Sequence, residues 1–218
     1  MDPITLVGSF GNLAAFSLFL SPVPTMRTII RARDVKDFSI LPQLVQLVES
    51  TLWSCWSVRV GYKEVQVCNL TAVLAMSVYI SIFSFVRFFF GAKSNSANSS
   101  KNLLLVQLAI TALLVSATLA FFFLAASSTT STTVFVSLAT AICVVKYASP
   151  LSVIKLVVRT KSTEFMPLPL TLACLACGVL WGAYGLLVED LWVILPNAAG
   201  ALLSSFQLLV WLKYSRMA

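Results

Sequence analysis

One segment of the chain occurs twice: residues 21–36, SPVPTMRTIIRARDVK, match residues 149–164, SPLSVIKLVVRTKSTE, at an offset of 128 positions. The basic residues of the two copies fall at equivalent places. Self-similarity over this distance predicts that the chain contains two copies of one structural unit. The same offset relates Pro22 to Pro150, Trp53 to Trp181 and Asn69 to Asn197, while Pro42 and Pro167 correspond at an offset of 125.

The sequence around the repeated segments is strongly apolar. Of 218 residues, 59% are hydrophobic and 11% are charged, which is far from the composition of soluble domains. A membrane-spanning helix needs about 20 apolar residues. Seven stretches approach that length, at residues 4–26, 38–58, 66–90, 102–126, 132–157, 165–188 and 191–213. We therefore predict an all-α integral membrane protein with seven transmembrane helices.

Each copy of the repeat spans three of the predicted helices, and the fourth helix joins the copies. Because three is an odd number, two directly joined copies would lie inverted in the membrane, and one further crossing makes them parallel. We predict two parallel three-helix bundles joined by a connector helix, a 3+1+3 architecture. The first repeat would cover residues 1–91, the connector loop and fourth helix residues 92–130, and the second repeat with a short C-terminal tail residues 131–218.

The basic residues predict the orientation of these helices. With the first, third and fifth connections and the C-terminus in the cytoplasm, 12 of the 15 basic residues lie there, all except Arg59, Lys63 and Lys146. Cytoplasmic loops of membrane proteins are enriched in positive charge. We therefore expect an extracellular or lumenal N-terminus and a cytoplasmic C-terminus.

Composition disfavours several classes of function. The chain has no histidine and only eight acidic residues, so the usual general bases and imidazole metal ligands are scarce or missing. We expect no enzyme activity, no metal and no cofactor. The net charge of +7 is spread over short connections, which argues against nucleic-acid binding. The five cysteines fall in or beside apolar stretches and are expected to be packing residues.

Six strings carry a resemblance to a known family: GN at 11–12, LFLSPVPT at 18–25, YASPLSV at 147–153, RTKSTEFMP at 159–167, WGAYGLL at 181–187 and LPNAAG at 195–200. Over nearly its full length the chain resembles the SWEET (MtN3/saliva) sugar transporters of the PQ-loop superfamily. The resemblance implies facilitative, bidirectional passage of mono- or disaccharides by alternating access around a central pocket, and assembly into homo-oligomers. It also implies a proline tetrad that lets the helices bend during gating, formed by Pro22, Pro42, Pro150 and Pro167.

Four residues related by the repeat are expected to bind the sugar. Asn69 and Asn197 each offer an amide donor and acceptor, and Trp53 and Trp181 offer flat apolar faces suited to a pyranose ring. Taken alone, such residues in membrane helices more often serve packing and interhelical hydrogen bonding. The repeat and the resemblance favour binding, and the same pocket is expected to include Glu49, Lys146 and Cys177.

A further set of residues resembles the outer gate of the family. Tyr184 and Asp190 match that region, and Trp56 replaces a tyrosine that in the family commonly meets the aspartate. Since an indole can donate one hydrogen bond, we expect Trp56 and Asp190 to close the outer mouth. On the sequence alone, Asp190 is equally compatible with a solvated loop position.

Departures from the family pattern are most frequent in the first repeat. Gln43, Ser57 and Val136 replace residues that are usual in the family. Glu49 and Lys146 put ionisable groups inside predicted spans, where each costs about 2.5 to 3.5 kcal/mol unless it is paired or hydrated. We expect a central ion pair, a site altered for a polar or charged solute, or two purely structural residues.

These departures keep two alternatives open beside sugar transport. One is a PQ-loop-type transporter of amino acids or another polar metabolite, and the other is a non-transporting paralogue. We expect the protein in the plasma membrane, with the vacuolar or another internal membrane as the alternative.

Overall fold

The computed structural model describes residues 2–90, 97–126 and 128–215, and within these ranges every regular element is an α-helix. Residues 91–96 of the predicted connection before the fourth helix lie outside them. The helical segments are α1 (Pro3–Phe19), α2 (Val23–Ala32), α3 (Leu41–Val60), α4 (Lys63–Phe89), α5 (Ala97–Leu124), α6 (Thr129–Lys146), α7 (Ala148–Thr160), α8 (Leu168–Leu187) and α9 (Leu191–Ser215).

Two of the predicted helices are interrupted where the Ser-Pro motif repeats. Residues 20–22 separate α1 from α2, and Tyr147 alone separates α6 from α7. A proline lacks the N–H of a regular helix and clashes with the preceding turn, which favours a break at this point. The first predicted span ends too early, at residue 26, because α2 continues to Ala32. Arg27 and Arg31 therefore lie on a helix and not in a connection.

The helices account for the predicted membrane crossings. Within the described ranges, six stretches are long and apolar enough to cross a bilayer, at residues 3–32, 63–89, 101–124, 129–160, 168–187 and 191–215. The remaining helix, α3, is 20 residues long, and Glu49, Arg59 and several glutamines and serines make it less apolar. The order of three helices, a connector and three further helices confirms the predicted all-α fold.

The chain packs as two compact units. We call Phe19–Ala139 the central unit and Met1–Leu18 together with Thr140–Ala218 the terminal unit. Their boundaries fall inside α1 and α6 and therefore cross the boundaries of the sequence repeats. The division into residues 1–91, 92–130 and 131–218 stays a prediction from the sequence.

The repeat extends to the buried faces of α2 and α7. In the central unit α2 buries Met26 and Ile29, and in the terminal unit α7 buries the equivalent Ile154 and Val157. Ile29 and Val157 are fully inaccessible to solvent, at 0% exposure each. A spacing of three residues places both members of each pair on one face of the helix, so each repeat anchors its short second segment in the same way.

Both short helices also end alike. α2 stops at Arg33 and α7 at the equivalent Lys161, each in the left-handed conformation with φ of 51° and 58°. Each cation lies over an aromatic ring at the end of the last helix in its own repeat. The Arg33 guanidinium carbon is 5.2 Å from the ring of Phe90, which directly follows α4, and the Lys161 ammonium is 5.5 Å from the ring of Tyr214 on α9. Attraction between cation and ring helps to hold a backbone conformation that non-glycine residues rarely adopt.

Arg59 fastens the connector helix to α3 within the central unit. Its Nη2 donates hydrogen bonds to the carbonyl oxygens of Phe122 (2.8 Å) and Ala125 (3.1 Å), and its Nη1 donates to Oγ of Ser131 (2.5 Å). The guanidinium carbon lies 5.2 Å and 5.1 Å from the ring centres of Phe122 and Phe135. The last carbonyls of a helix have no intrahelical donor, so the half-buried arginine satisfies the C-terminal end of α5.

Candidate functional site

The two asparagines predicted to bind sugar have the same geometry in their respective units. Nδ2 of Asn69 donates to the carbonyl oxygen of Val65 on α4 at 2.9 Å, and Nδ2 of Asn197 donates to that of Val193 on α9 at 2.8 Å. Each bond runs one helical turn back along the same helix. It fixes the orientation of the amide through Nδ2, and Oδ1 is the acceptor of the same side chain.

The two tryptophans are also arranged alike. Trp53 meets Trp56 edge to face at a ring-centre distance of 5.1 Å, and Trp181 meets Tyr184 at 5.3 Å. These partners are themselves equivalent by the offset of 128 and are fully buried. Trp181 is further covered by α1, because a Cβ added to Gly11 would lie 3.1 Å from its indole ring. The sequence gives no sign that Gly11 positions Trp181, although the Gly-Asn string at residues 11–12 is part of the resemblance.

Two glycines bring α8 and α9 to backbone contact beside Asn197. A Cβ added to Gly178 would lie 2.8 Å from the backbone nitrogen of Ala201 and 3.0 Å from the carbonyl oxygen of Asn197. A Cβ added to Gly185 would lie 2.9 Å from the backbone nitrogen of Ile194. Such distances leave no room for a side chain, so the two glycines determine how close the helix that carries Asn197 lies to α8.

The equivalent positions in the first repeat hold Ser50 and Ser57, and both are completely buried. The Ser57 hydroxyl donates to the carbonyl oxygen of Ser54 at 2.9 Å, and the Ser50 hydroxyl accepts from the side-chain amide of Gln46 at 2.9 Å. Buried hydroxyls with such partners carry little penalty. The structure therefore accommodates Ser57, one of the departures noted above, without an unsatisfied group.

The two unusual ionisable residues belong to different units. Glu49 is 4% exposed on α3 in the central unit, four residues before Trp53 and thus on the same face of that helix. Lys146 is half-buried at the end of α6 in the terminal unit, close enough to Cys174 and Cys177 to act on both electrostatically. The structure thus brings two of the predicted pocket residues, Lys146 and Cys177, near each other, while the pairing of Glu49 with Lys146 stays a prediction.

The four prolines of the predicted tetrad occupy two kinds of place. Pro22 directly precedes α2 and Pro150 is the third residue of α7, so both lie beside a helix break. Pro42 is the second residue of α3, and Pro167 directly precedes α8 in an extended conformation. At the first positions of a helix the missing N–H has no intrahelical acceptor in any case. Two prolines therefore interrupt helices, and two start them.

Asp190, predicted for the outer gate, directly precedes α9. Its carboxylate accepts a hydrogen bond of 2.9 Å from the backbone N–H of Trp192, and its carbonyl oxygen accepts from the N–H of Ile194 at 3.0 Å. An aspartate at this position satisfies an orphan N–H and favours the helix dipole. The described contacts thus give Asp190 a capping role, and its closure with Trp56 stays a prediction.

Comparison with known proteins supports the resemblance. A sequence profile described as "Sugar efflux transporter for intercellular exchange" (MtN3_slv) matches residues 5–87 and 133–218, one match in each repeat. "Bidirectional sugar transporter SWEET7b" of Oryza sativa subsp. indica is 34% identical over 97% of this chain and 77% of its own length. For "Bidirectional sugar transporter SWEET1" of Arabidopsis thaliana the identity is 34% over 96% of this chain and 83% of its own.

A solved structure agrees with these sequences. The structure of a eukaryotic SWEET transporter superposes with a TM-score of 0.86 at 27% identity, covering 98% of this chain and 97% of that one. The resemblance predicted from the six strings is thereby confirmed, and relatives of this kind are transporters, not enzymes. The chain belongs to the MtN3/saliva family, the SWEET transporters.

Proposed function

We propose that this chain is a facilitative, bidirectional transporter of mono- or disaccharides. The observation that carries the proposal is the matched pair of anchored asparagines, Asn69 and Asn197, each accompanied in its own repeat by a tryptophan. Hydroxyls of a sugar need acceptors of fixed direction, and an apolar ring face needs a flat apolar partner. The relatives named above as bidirectional sugar transporters support the same conclusion.

The proposed mechanism is alternating access without a cofactor. The residues proposed to bind the sugar are Asn69 and Trp53 in the first repeat and Asn197 and Trp181 in the second. The breaks at Pro22 and Pro150 supply points at which rigid helical pieces bend. Since no ion gradient is used, net flux follows the sugar gradient in either direction.

Glu49 favours a second candidate, a PQ-loop-type transporter of amino acids or another charged metabolite. Glu49 is 4% exposed and lies on the helix face of Trp53, and carboxylates within membrane helices mark the pathways of substrates and ions in many transporters. Glu49 and Lys146 together would match the ammonium and carboxylate of a zwitterion. A non-transporting paralogue would use the same two residues only for stability.

The deciding experiment is flux of radiolabelled glucose and sucrose in cells that lack their own sugar transporters. Wild type is compared with Asn197→Ala, and Asn102→Ala on the exposed face of α5 serves as the matched control. We expect saturable flux that is independent of a proton gradient, is lost in Asn197→Ala and is retained in the control. Flux of amino acids that follows a pH gradient would support the second candidate. No flux of any solute with protein at the membrane would indicate the non-transporting paralogue.

We also propose an extracellular or lumenal N-terminus, a cytoplasmic C-terminus and residence in the plasma membrane. The distribution of basic residues supports this orientation, with Arg27, Arg31, Arg159 and Lys161 exposed on α2, on α7 or directly after α7. Glycosylation sequons appended to either terminus test it, since only a lumenal sequon is modified. The family resemblance further supports a homo-oligomer, which co-purification of two differently tagged copies would detect.

A further inference from the structure

The two helix breaks occur at equivalent points of the repeat. Phe19, the last residue of α1, corresponds to Tyr147, which separates α6 from α7, by the offset of 128. Each lies three residues before its proline, Pro22 or Pro150. We refer to these two points as the joints.

In the central unit the joint is held by Tyr79. Its buried hydroxyl, on α4, donates a hydrogen bond of 2.9 Å to the carbonyl oxygen of Phe19. In an unbroken helix that carbonyl would accept from the N–H of Val23, but this N–H instead donates to Leu20 at 3.0 Å. A buried carbonyl without a donor is unfavourable, above all in a membrane. Tyr79 thus replaces the hydrogen bond that the helix break removes.

In the terminal unit the tyrosine is at the joint itself. The hydroxyl of Tyr147 donates to the carbonyl oxygen of Pro196 on α9, the residue directly before Asn197. The absence of a side chain at Gly200 makes room for it, because a Cβ there would lie 3.2 Å from the same hydroxyl. The joint and the third helix of each repeat are thus linked in both units, with the tyrosine on the third helix in one and at the joint in the other.

Sequence differences between the repeats agree with the different locations of the two tyrosines. The first repeat has Phe19 where the second has Tyr147, so its joint has no hydroxyl to donate, and it has Ala72 where the second has Gly200. Ala72 is fully buried, at 0% exposure, and leaves no space like that beside Gly200. Each repeat therefore links its joint to its third helix through one tyrosine hydroxyl, at a different point of that helix.

We propose that Tyr79 and Tyr147 are positioning residues for the transport cycle. In this conformation their hydroxyls hold the two joints to the third helices, and we call these two hydrogen bonds the clasps. A change in the bend at Pro22 or Pro150 breaks the clasp at that joint. Neither hydroxyl is assigned to the sugar. The link to transport rests on the proposed function, but the clasps themselves can be tested without sugar.

The test replaces each tyrosine by phenylalanine, which removes only the hydroxyl. Hydrogen–deuterium exchange is measured by mass spectrometry on the full chain in lipid nanodiscs, for Tyr79→Phe, Tyr147→Phe and the double variant. Tyr214→Phe is the matched control, because Tyr214 is buried and its described contacts with Lys161 and Lys213 are made by its ring. A net hydrogen bond of ordinary strength corresponds to a population shift of about 2- to 10-fold.

We expect exchange to accelerate by about 2- to 10-fold in residues 19–26 for Tyr79→Phe and in residues 193–201 for Tyr147→Phe, with Tyr214→Phe unchanged at both places. Unchanged exchange in both variants, or equal acceleration along the whole chain, would overturn the clasps. The exchange measurement needs no sugar, so it tests the clasps even if the wild type carries none. Failure of the clasps is therefore distinguishable from failure of the proposed function.

Flux per surface molecule gives the second measurement in a wild type that carries glucose. We expect the maximal rate to change by about 2- to 10-fold while the equilibrium affinity for glucose stays within about twofold. Turnover unchanged despite faster local exchange would overturn the role in the transport cycle. A loss confined to the amount of protein at the membrane would overturn it as well, since it indicates a purely structural contribution.

Discussion

Arg59 at the end of α3 donates a 2.8 Å hydrogen bond to the carbonyl oxygen of Phe122, 63 residues further along the chain, near the end of α5. The arginine thereby ties the connector helix to the first repeat within the central unit. Its planar fork serves several carbonyls at once, and its faces lie against aromatic rings. A lysine could supply the charge but not this geometry.

Replacement of Arg59 should therefore destabilise the protein. We expect Arg59→Gln to lower the free energy of unfolding by about 1.5 to 3 kcal/mol, the usual range for hydrogen bonds to charged groups, and Arg59→Lys to recover only part of it. Thermal unfolding in detergent measures the change, with the exposed Lys63→Gln as control. A loss fully restored by lysine would show that charge alone matters.

Gly178 and Gly182 offer a matched pair on α8. A Cβ at Gly178 would meet backbone of α9 at 2.8 Å, whereas a Cβ at Gly182 would have nothing within 4 Å. Gly178→Ala should cost about 1 to 3 kcal/mol as an overpacked contact. Gly182→Ala should be neutral or stabilise by up to about 1 kcal/mol, because alanine favours the helix. Equal melting temperatures for the two variants would contradict the close approach of α8 and α9.

The orientation of Asn197 predicts the effect of a change that keeps its shape. In the wild type, Nδ2 of Asn197 donates to the carbonyl oxygen of Val193 at 2.8 Å. In Asn197→Asp a carboxylate oxygen takes the place of this donor and is repelled by the carbonyl. We expect sugar flux to fall at least about tenfold, as for an interaction worth about 1.4 kcal/mol or more, with surface expression retained. Radiolabelled uptake checks this against Asn102→Asp. Flux equal to wild type would show that the amide donor is not needed.

A central ion pair is one of the alternatives predicted for Glu49 and Lys146. If they pair, Glu49→Gln and Lys146→Met should each reduce stability and flux, and the double variant should be less impaired than the sum of the single ones. A coupling energy of about 1 kcal/mol or more is expected for groups in contact. Thermal unfolding and uptake are measured for the wild type, the two single variants and the double variant, which together form a double-mutant cycle. Additive losses would show that the two residues act independently.

Several properties follow from the sequence by itself. Continuous apolar stretches of about 20 residues determine that the chain enters a membrane as helices, because only a helix satisfies all backbone hydrogen bonds within one such stretch. The offset of 128 between the two copies relates Asn69 to Asn197 and Trp53 to Trp181, and the structure gives each pair the same local geometry. The hydrogen bonds of the asparagines and the ring contacts of the tryptophans join residues within one helical turn. A sequence pattern can therefore predict them.

Other properties were decided only by the tertiary structure. The Arg59 link to α5, the Tyr79 bond to Phe19 and the backbone contact at Gly178 join residues that are distant along the chain. Whether a half-buried cation meets a carbonyl or water, and whether a glycine faces backbone or open space, depends on which helices pack together. Periodicity and hydropathy contain no record of that choice, since each describes one helix at a time.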